Sequence, residues 1–103
     1  MGIKWTPLAI NHLHEFIKIS KAEKENKQKY LENLINFTNC IIDNNEIGKA
    51  LFTYNNITFR QLLYKQHRII YYINDNQIYI VSVIHTSQNL EKAIKIVEKF
   101  IKK

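Results

Sequence analysis

Residues 57–64, 67–74 and 77–85 are three successive runs of β-branched and aromatic residues, each separated from the next by two residues. Runs of this composition and spacing read as β-strands joined by tight turns, and strands joined that way lie antiparallel. Into these nearly apolar strands the chain places Arg60, His67, Arg68 and His85. Burying an unpaired charge costs several kcal/mol, roughly, so each cation needs a partner or a surface that meets an anion. From Ile47 to Asn74 there is no Asp or Glu, while Lys49, Arg60, Lys65, His67 and Arg68 all fall there. The sheet is expected to carry a positive surface studded with Tyr and Phe.

Upstream, Ile3-Lys4-Trp5 reads as a short first strand, with Trp5 packing at its junction with a helix. Thr6 can cap that helix, and Pro7 suits a first turn where no backbone N–H is needed. Ala9, Leu13, Phe16, Ile17 and Ser20 recur at helical spacing, which predicts helix one to about Ser20. Residues 21–29 are charged, mixed in sign and free of Gly and Pro, and suit a helix–helix turn and the start of helix two. The stripe from Tyr30 to Ile42 carries helix two to about Asp43. Asn44-Asn45-Glu46-Ile47-Gly48 ends it, and a loop containing Phe52 and Tyr54 leads through Asn55-Asn56 into the strands. After Thr86-Ser87-Gln88-Asn89, the apolar residues Leu90, Ala93, Ile94, Val97, Phe100 and Ile101 predict a last helix. The order is β-α-α-β-β-β-α, an α+β class: a small antiparallel sheet covered by an N-terminal helical hairpin.

At 103 residues the chain is one domain with one core. Its net charge of +6 favours an anionic partner. No apolar run approaches the ~20 residues that span a bilayer, and the N-terminus lacks the apolar stretch of a signal peptide, so no membrane partner and a cytoplasmic location are expected. The single cysteine, Cys40, agrees with a reducing compartment and sits among helix residues as an inert thiol. His12 and His14 lie two apart on a helix, hence on different faces, and read as surface residues that cannot chelate a metal together.

If Asp75-Asn76 is a two-residue turn, Asn74 pairs with Gln77, Arg68 falls opposite Val83 and Gln66 opposite His85. With period-two alternation Arg68, Tyr72, Tyr79 and His85 then share one face, Arg68 and His85 being diagonal neighbours roughly 7 Å apart. Ile69, Tyr71, Ile73, Ile78 and Ile80 share the other, which is the expected core face. A one-residue slip would separate Arg68 from His85.

Trp5-Thr6-Pro7 opening an amphipathic helix, Arg60-x-Leu62, His67-Arg68-Ile69-Ile70-Tyr71 and the terminal Val83-Ile84-His85 together resemble the RelE/ParE superfamily of bacterial type II toxins. The resemblance covers nearly the whole chain. It implies a single toxin domain over 1–103, a growth-inhibiting activity, a cognate acidic antitoxin as partner, and no cofactor or metal. The superfamily divides on mechanism: RelE-like members are ribosome-dependent mRNA endoribonucleases, whereas ParE-like members inhibit DNA gyrase. In a nuclease Arg68 and His85 would be the catalytic residues. Arg60, Lys65, His67, Tyr72, Tyr79 and Gln88 would contact the target or the antitoxin, and Arg60 could equally pair with a helix carboxylate. Gln88 stands where many relatives carry an arginine, and no Tyr or His follows His85 to act as a base. That set favours ParE-like gyrase binding over RNA cleavage. A non-enzymatic RNA- or anion-binding module is the remaining alternative.

Overall fold

A computed structural model describes residues 1–19 and 24–102. The elements are β1 (Ile3–Trp5), α1 (Pro7–Ile19), α2 (Lys24–Phe37), α3 (Cys40–Asp43), β2 (Lys49–Tyr54), β3 (Ile57–Tyr64), β4 (His67–Asn74), β5 (Gln77–His85) and α4 (Leu90–Ile101). They form an α+β fold around one five-stranded sheet of order β1-β5-β4-β3-β2, in which β1 runs parallel to β5 and every other pair is antiparallel. Part of the turn expected at 21–29 lies outside the described residues; from Lys24 onward that stretch is already helix α2.

Thr6 joins the first strand to the first helix as its sequence suggests. Its hydroxyl accepts from the Ala9 N–H at 3.2 Å, capping α1, and donates to the Val81 carbonyl at 3.0 Å. Helix two is shorter than its stripe of apolar residues implies. The Thr38 hydroxyl donates to the Ile35 carbonyl at 2.6 Å, a local bond that competes with the helix ladder, and the chain resumes as the single turn α3. Residues 49–54, expected as a loop, are strand β2 on the outer edge of the sheet. Asn55 and Asn56 connect it to β3 with φ of 50° and 66°, the left-handed pair that a two-residue hairpin turn requires. Asp75 and Asn76 repeat the device between β4 and β5 at 49° and 61°.

Both faces of the two central strands are covered. Ala9, Leu34, Ile41, Ile69, Tyr71, Ile78, Ile80 and Val83 pack under the helical hairpin, with Trp5 and Cys40 half-buried against them. Phe59, Ile70, Val81 and Ile84 pack on the other side under Ala93 and Val97 of α4. Asn89 caps that helix by accepting from the Lys92 N–H at 2.8 Å. Burial pushes the Cys40 thiol above its usual pKa, which keeps it protonated and unreactive.

The β4–β5 register begins as expected, Asn74 opposite Gln77, then shifts. Tyr71 faces Ile80 but Ile70 faces Ser82, so β5 carries one extra residue at Val81. Beyond this bulge Arg68 lies opposite Ile84, and His67, not Gln66, lies opposite His85. The bulge therefore inverts the face of everything after it on β5. Arg68 remains with Tyr72 and Tyr79 on the α4 side, and His85 turns to the side of the helical hairpin. The shared face expected for Arg68 and His85 does not form.

Candidate functional site

The inversion at the bulge builds a different cluster at the end of the sheet. His67 and His85, now paired across β4 and β5, stack edge-on with ring centroids 5.5 Å apart. Helix α1 brings His12, Glu15 and Phe16 against them, the β5–α4 connection brings Ser87 and Gln88, and α4 brings Lys92. These residues line a cleft of about 550 Å³.

Each imidazole is held through Nδ1. His12 Nδ1 accepts from the Val83 N–H at 3.3 Å, and His85 Nδ1 accepts from the Ser87 N–H at 3.0 Å. His67 Nδ1 lies 2.7 Å from the Tyr30 hydroxyl, and its ring meets Phe16 edge-on at 5.0 Å. Burial raises the Tyr30 pKa, so the phenol keeps its proton and donates it to His67. His67 itself is only 5% exposed, and its pKa is pushed down to about 4 by burial and, secondarily, by His85. Burial also lowers the His12 pKa, against the opposing pull of Glu15. At neutral pH His67 is thus a neutral hydrogen-bond acceptor fixed to α2. Among the described residues no three His, Cys, Asp or Glu side chains converge where a metal ion could sit.

The cleft unites three of the residues singled out in the sequence, His67, His85 and Gln88. The others lie elsewhere. Arg68 is half-buried on the α4 side, where its guanidinium donates to the Gln61 side chain while Nε is buried without a partner among the described residues. Beside it on the sheet, Leu63 stands 57% exposed. Tyr72 and Tyr79 stack on one another, centroids 4.9 Å apart, and Tyr72 also packs on Phe59 and Phe100. Arg60 is on the hairpin side. It donates to the Gly48 carbonyl at 2.9 Å and lies 3.9 Å from Glu46, a loop carboxylate instead of the helix carboxylate considered for it. Lys65 occupies the β3–β4 turn with its ammonium 5.5 and 5.9 Å from the ring centres of Tyr64 and Tyr30.

His12, expected on the surface, is the cleft residue that the sequence alone does not reveal. Its spacing puts it on the sheet-facing flank of α1, one turn beyond Ala9 and its neighbours, but only the bulge gives it an amide to accept from.

The His67 environment has a thermodynamic consequence. A histidine whose folded pKa is below its unfolded value of about 6.5 contributes full stability above that pH and loses it as pH falls toward the folded value. Between pH 7 and pH 5 the folded state should lose about 2 kcal/mol from His67 alone. Urea denaturation at the two pH values measures this, and His67→Phe should flatten the difference.

A family model described as the ParE toxin of the type II toxin–antitoxin system parDE matches residues 3–90. The chain belongs to this toxin family. No curated protein matches it in sequence. Among solved structures, a chain of the chromosomal ParDE toxin–antitoxin system from P. aeruginosa is similar with a TM-score of 0.60 and 13% identity, over 82% of this chain and 95% of that one. The YoeB dimer from Staphylococcus aureus is similar at 0.53 and 21%, over the same shares. At such identities these two likenesses speak for the fold alone. As a type II toxin the chain has a cognate antitoxin as partner. Among its described residues no helix is long and apolar enough to cross a membrane.

Proposed function

We propose that this ParE-family toxin arrests growth by binding DNA gyrase and needs no nuclease chemistry of its own. The observation that carries this reading is the β5 bulge. It puts Arg68 and His85 on opposite faces of the sheet, so the arginine that would stabilise a phosphorane cannot serve a proton transfer at His85. General acid–base help is typically worth ~10²–10⁴-fold per proton transfer, and it requires the donor within hydrogen-bond reach of the reacting atom. His67 does not replace the lost pair: it is neutral and committed to Tyr30. The family match is to ParE toxins, which agrees.

The open part of the α4-side face, where Arg68, Gln61 and Leu63 lie, supplies the target-binding surface in this reading. The antitoxin is acidic and approaches a chain of net charge +6, so complex formation should slow as salt is raised. Induced expression should produce filamentation and DNA-damage signalling, and the purified toxin should inhibit gyrase supercoiling. The competing reading is RNA cleavage in the histidine cleft, which does hold His85, Gln88 and Lys92 together. Primer extension on translated transcripts separates the two. Codon-phased cuts that disappear in His85→Ala would overturn gyrase binding in favour of an mRNA endoribonuclease.

A further inference from the structure

His12, His67 and His85 belong to α1, β4 and β5, and each uses Nδ1 to accept a hydrogen bond, a local one from Ser87 at His85 and, at His12 and His67, one that ties separate parts of the chain together. The bond from Val83 holds α1 to the strand just past the bulge, and the bond from Tyr30 holds α2 to the start of β4. A neutral imidazole has one acceptor nitrogen. Once that nitrogen is protonated both are donors: His12 then meets the Val83 amide donor against donor, while the Tyr30 hydroxyl must turn to accept from a His67 that has become a buried cation. The N-terminal half of α1 is anchored independently, by the Thr6 bonds to β5 and by Ala9 in the core. Its second half, from His12 to Phe16, meets the sheet through Leu13, which packs against the core, and through the imidazoles.

We propose that His12 and His67 form a proton-operated latch: protonation at their Nδ1 atoms loosens the second half of α1 and the middle of α2 from β4–β5 and widens the cleft, while the rest of the sheet stays paired. The charges around the latch decide the direction in which it works. Glu15 on α1 is the carboxylate that favours protonation of His12, and its effect is smaller than that of burial. His85 from β5 opposes a charge on His67, and Lys92 from α4 lines the same cleft. Lys65 stands over the Tyr30 ring on the far side. Both latch histidines are therefore held below the usual imidazole pKa, so the latch is closed at neutral pH and opens on acidification. This inference stands apart from the choice of target.

The test is histidine ¹⁵N chemical shifts together with amide hydrogen exchange on the full chain, from pH 7.5 to pH 4.5. At pH 7 His12 should be neutral with its proton on Nε2. Near pH 5 the protection factor of the Val83 amide should fall at least about tenfold, while Ile70 and Ile80 keep theirs. His12→Gln, whose side-chain oxygen accepts without titrating, should keep Val83 protected at pH 5. Three outcomes would overturn the latch: Val83 protection unchanged down to pH 4.5, loss of protection in step across the whole core, or a His12→Gln protein as acid-sensitive at Val83 as the wild type.

Discussion

Gly48→Ala should lower the melting temperature by roughly 12–25 °C, a stability loss of about 3 kcal/mol for a domain of this size. Gly48 ends the loop between α3 and β2, and the cause is crowding. A Cβ built there would stand 2.7 Å from the Gln61 carbonyl oxygen, 2.8 Å from Tyr71 Cε1 and 2.9 Å from the Tyr71 hydroxyl. The first of these is backbone of β3 and the others belong to a fully buried ring, so neither neighbour can swing aside. Any movement also strains a network. The Gly48 N–H donates to the Tyr71 hydroxyl, which donates to the Asn45 carbonyl, while Arg60 donates to the Gly48 carbonyl. Leaving one such buried group unpaired costs about 1–3 kcal/mol, comparable with the overpacking itself. Tyr71→Phe separates the contributions, because it breaks the two phenol bonds and introduces no clash; it should cost less than Gly48→Ala. A Gly48→Ala protein that melts within 2–3 °C of wild type would show that the loop is free to relax, against roughly 4–8 °C expected per kcal/mol.

Much of this architecture is legible in the residues, and what is not has a physical cause. The β4–β5 turn was readable because Asp75-Asn76 can adopt the left-handed pair of conformations that a two-residue hairpin needs. The same logic applied to Asn55-Asn56 identifies β2. Its own strand pattern is blurred by a register irregularity between Ala50 and Phe52, which is why 49–54 resembles a loop. The bulge at Val81 leaves no mark at all. Ile80-Val81-Ser82-Val83-Ile84 is buried on both faces, so its residues do not alternate between polar and apolar, and nothing in their order favours one register over the next. That one ambiguity decides the candidate site, since it moves His85 from the company of Arg68 to that of His67 and His12. The core face needed no such detail: Tyr71, Ile73, Ile78 and Ile80 precede the inversion in the pairing, Ile69 keeps its face because β4 is the strand without the extra residue, and the five lie together as expected.

Arg68→Ala should abolish growth inhibition while the protein stays folded. Arginine is among the residues most often responsible for binding energy at protein interfaces, and removing such an anchor costs roughly 2–4 kcal/mol, about thirty- to a thousandfold in affinity. Arg68 suits that role because it lies beside the exposed Leu63 on the α4-side face, and among the described residues its one side-chain hydrogen bond goes to Gln61. The fold depends on it modestly. Half-burial and that bond set a stability cost of about 1 kcal/mol, or some 4–8 °C in the melt, more than a fully exposed position would show. Gln61→Ala should reproduce part of the thermal shift and little of the functional loss, which isolates the guanidinium's contact with the target from its contact within the sheet. His85→Ala is the complementary measurement. Under gyrase binding it should leave growth inhibition intact, because His85 is on the other face of the sheet. If instead His85→Ala is harmless to the cell and Arg68→Ala remains toxic, the two faces exchange roles and the cleft, not the Arg68 surface, is where the toxin meets its target.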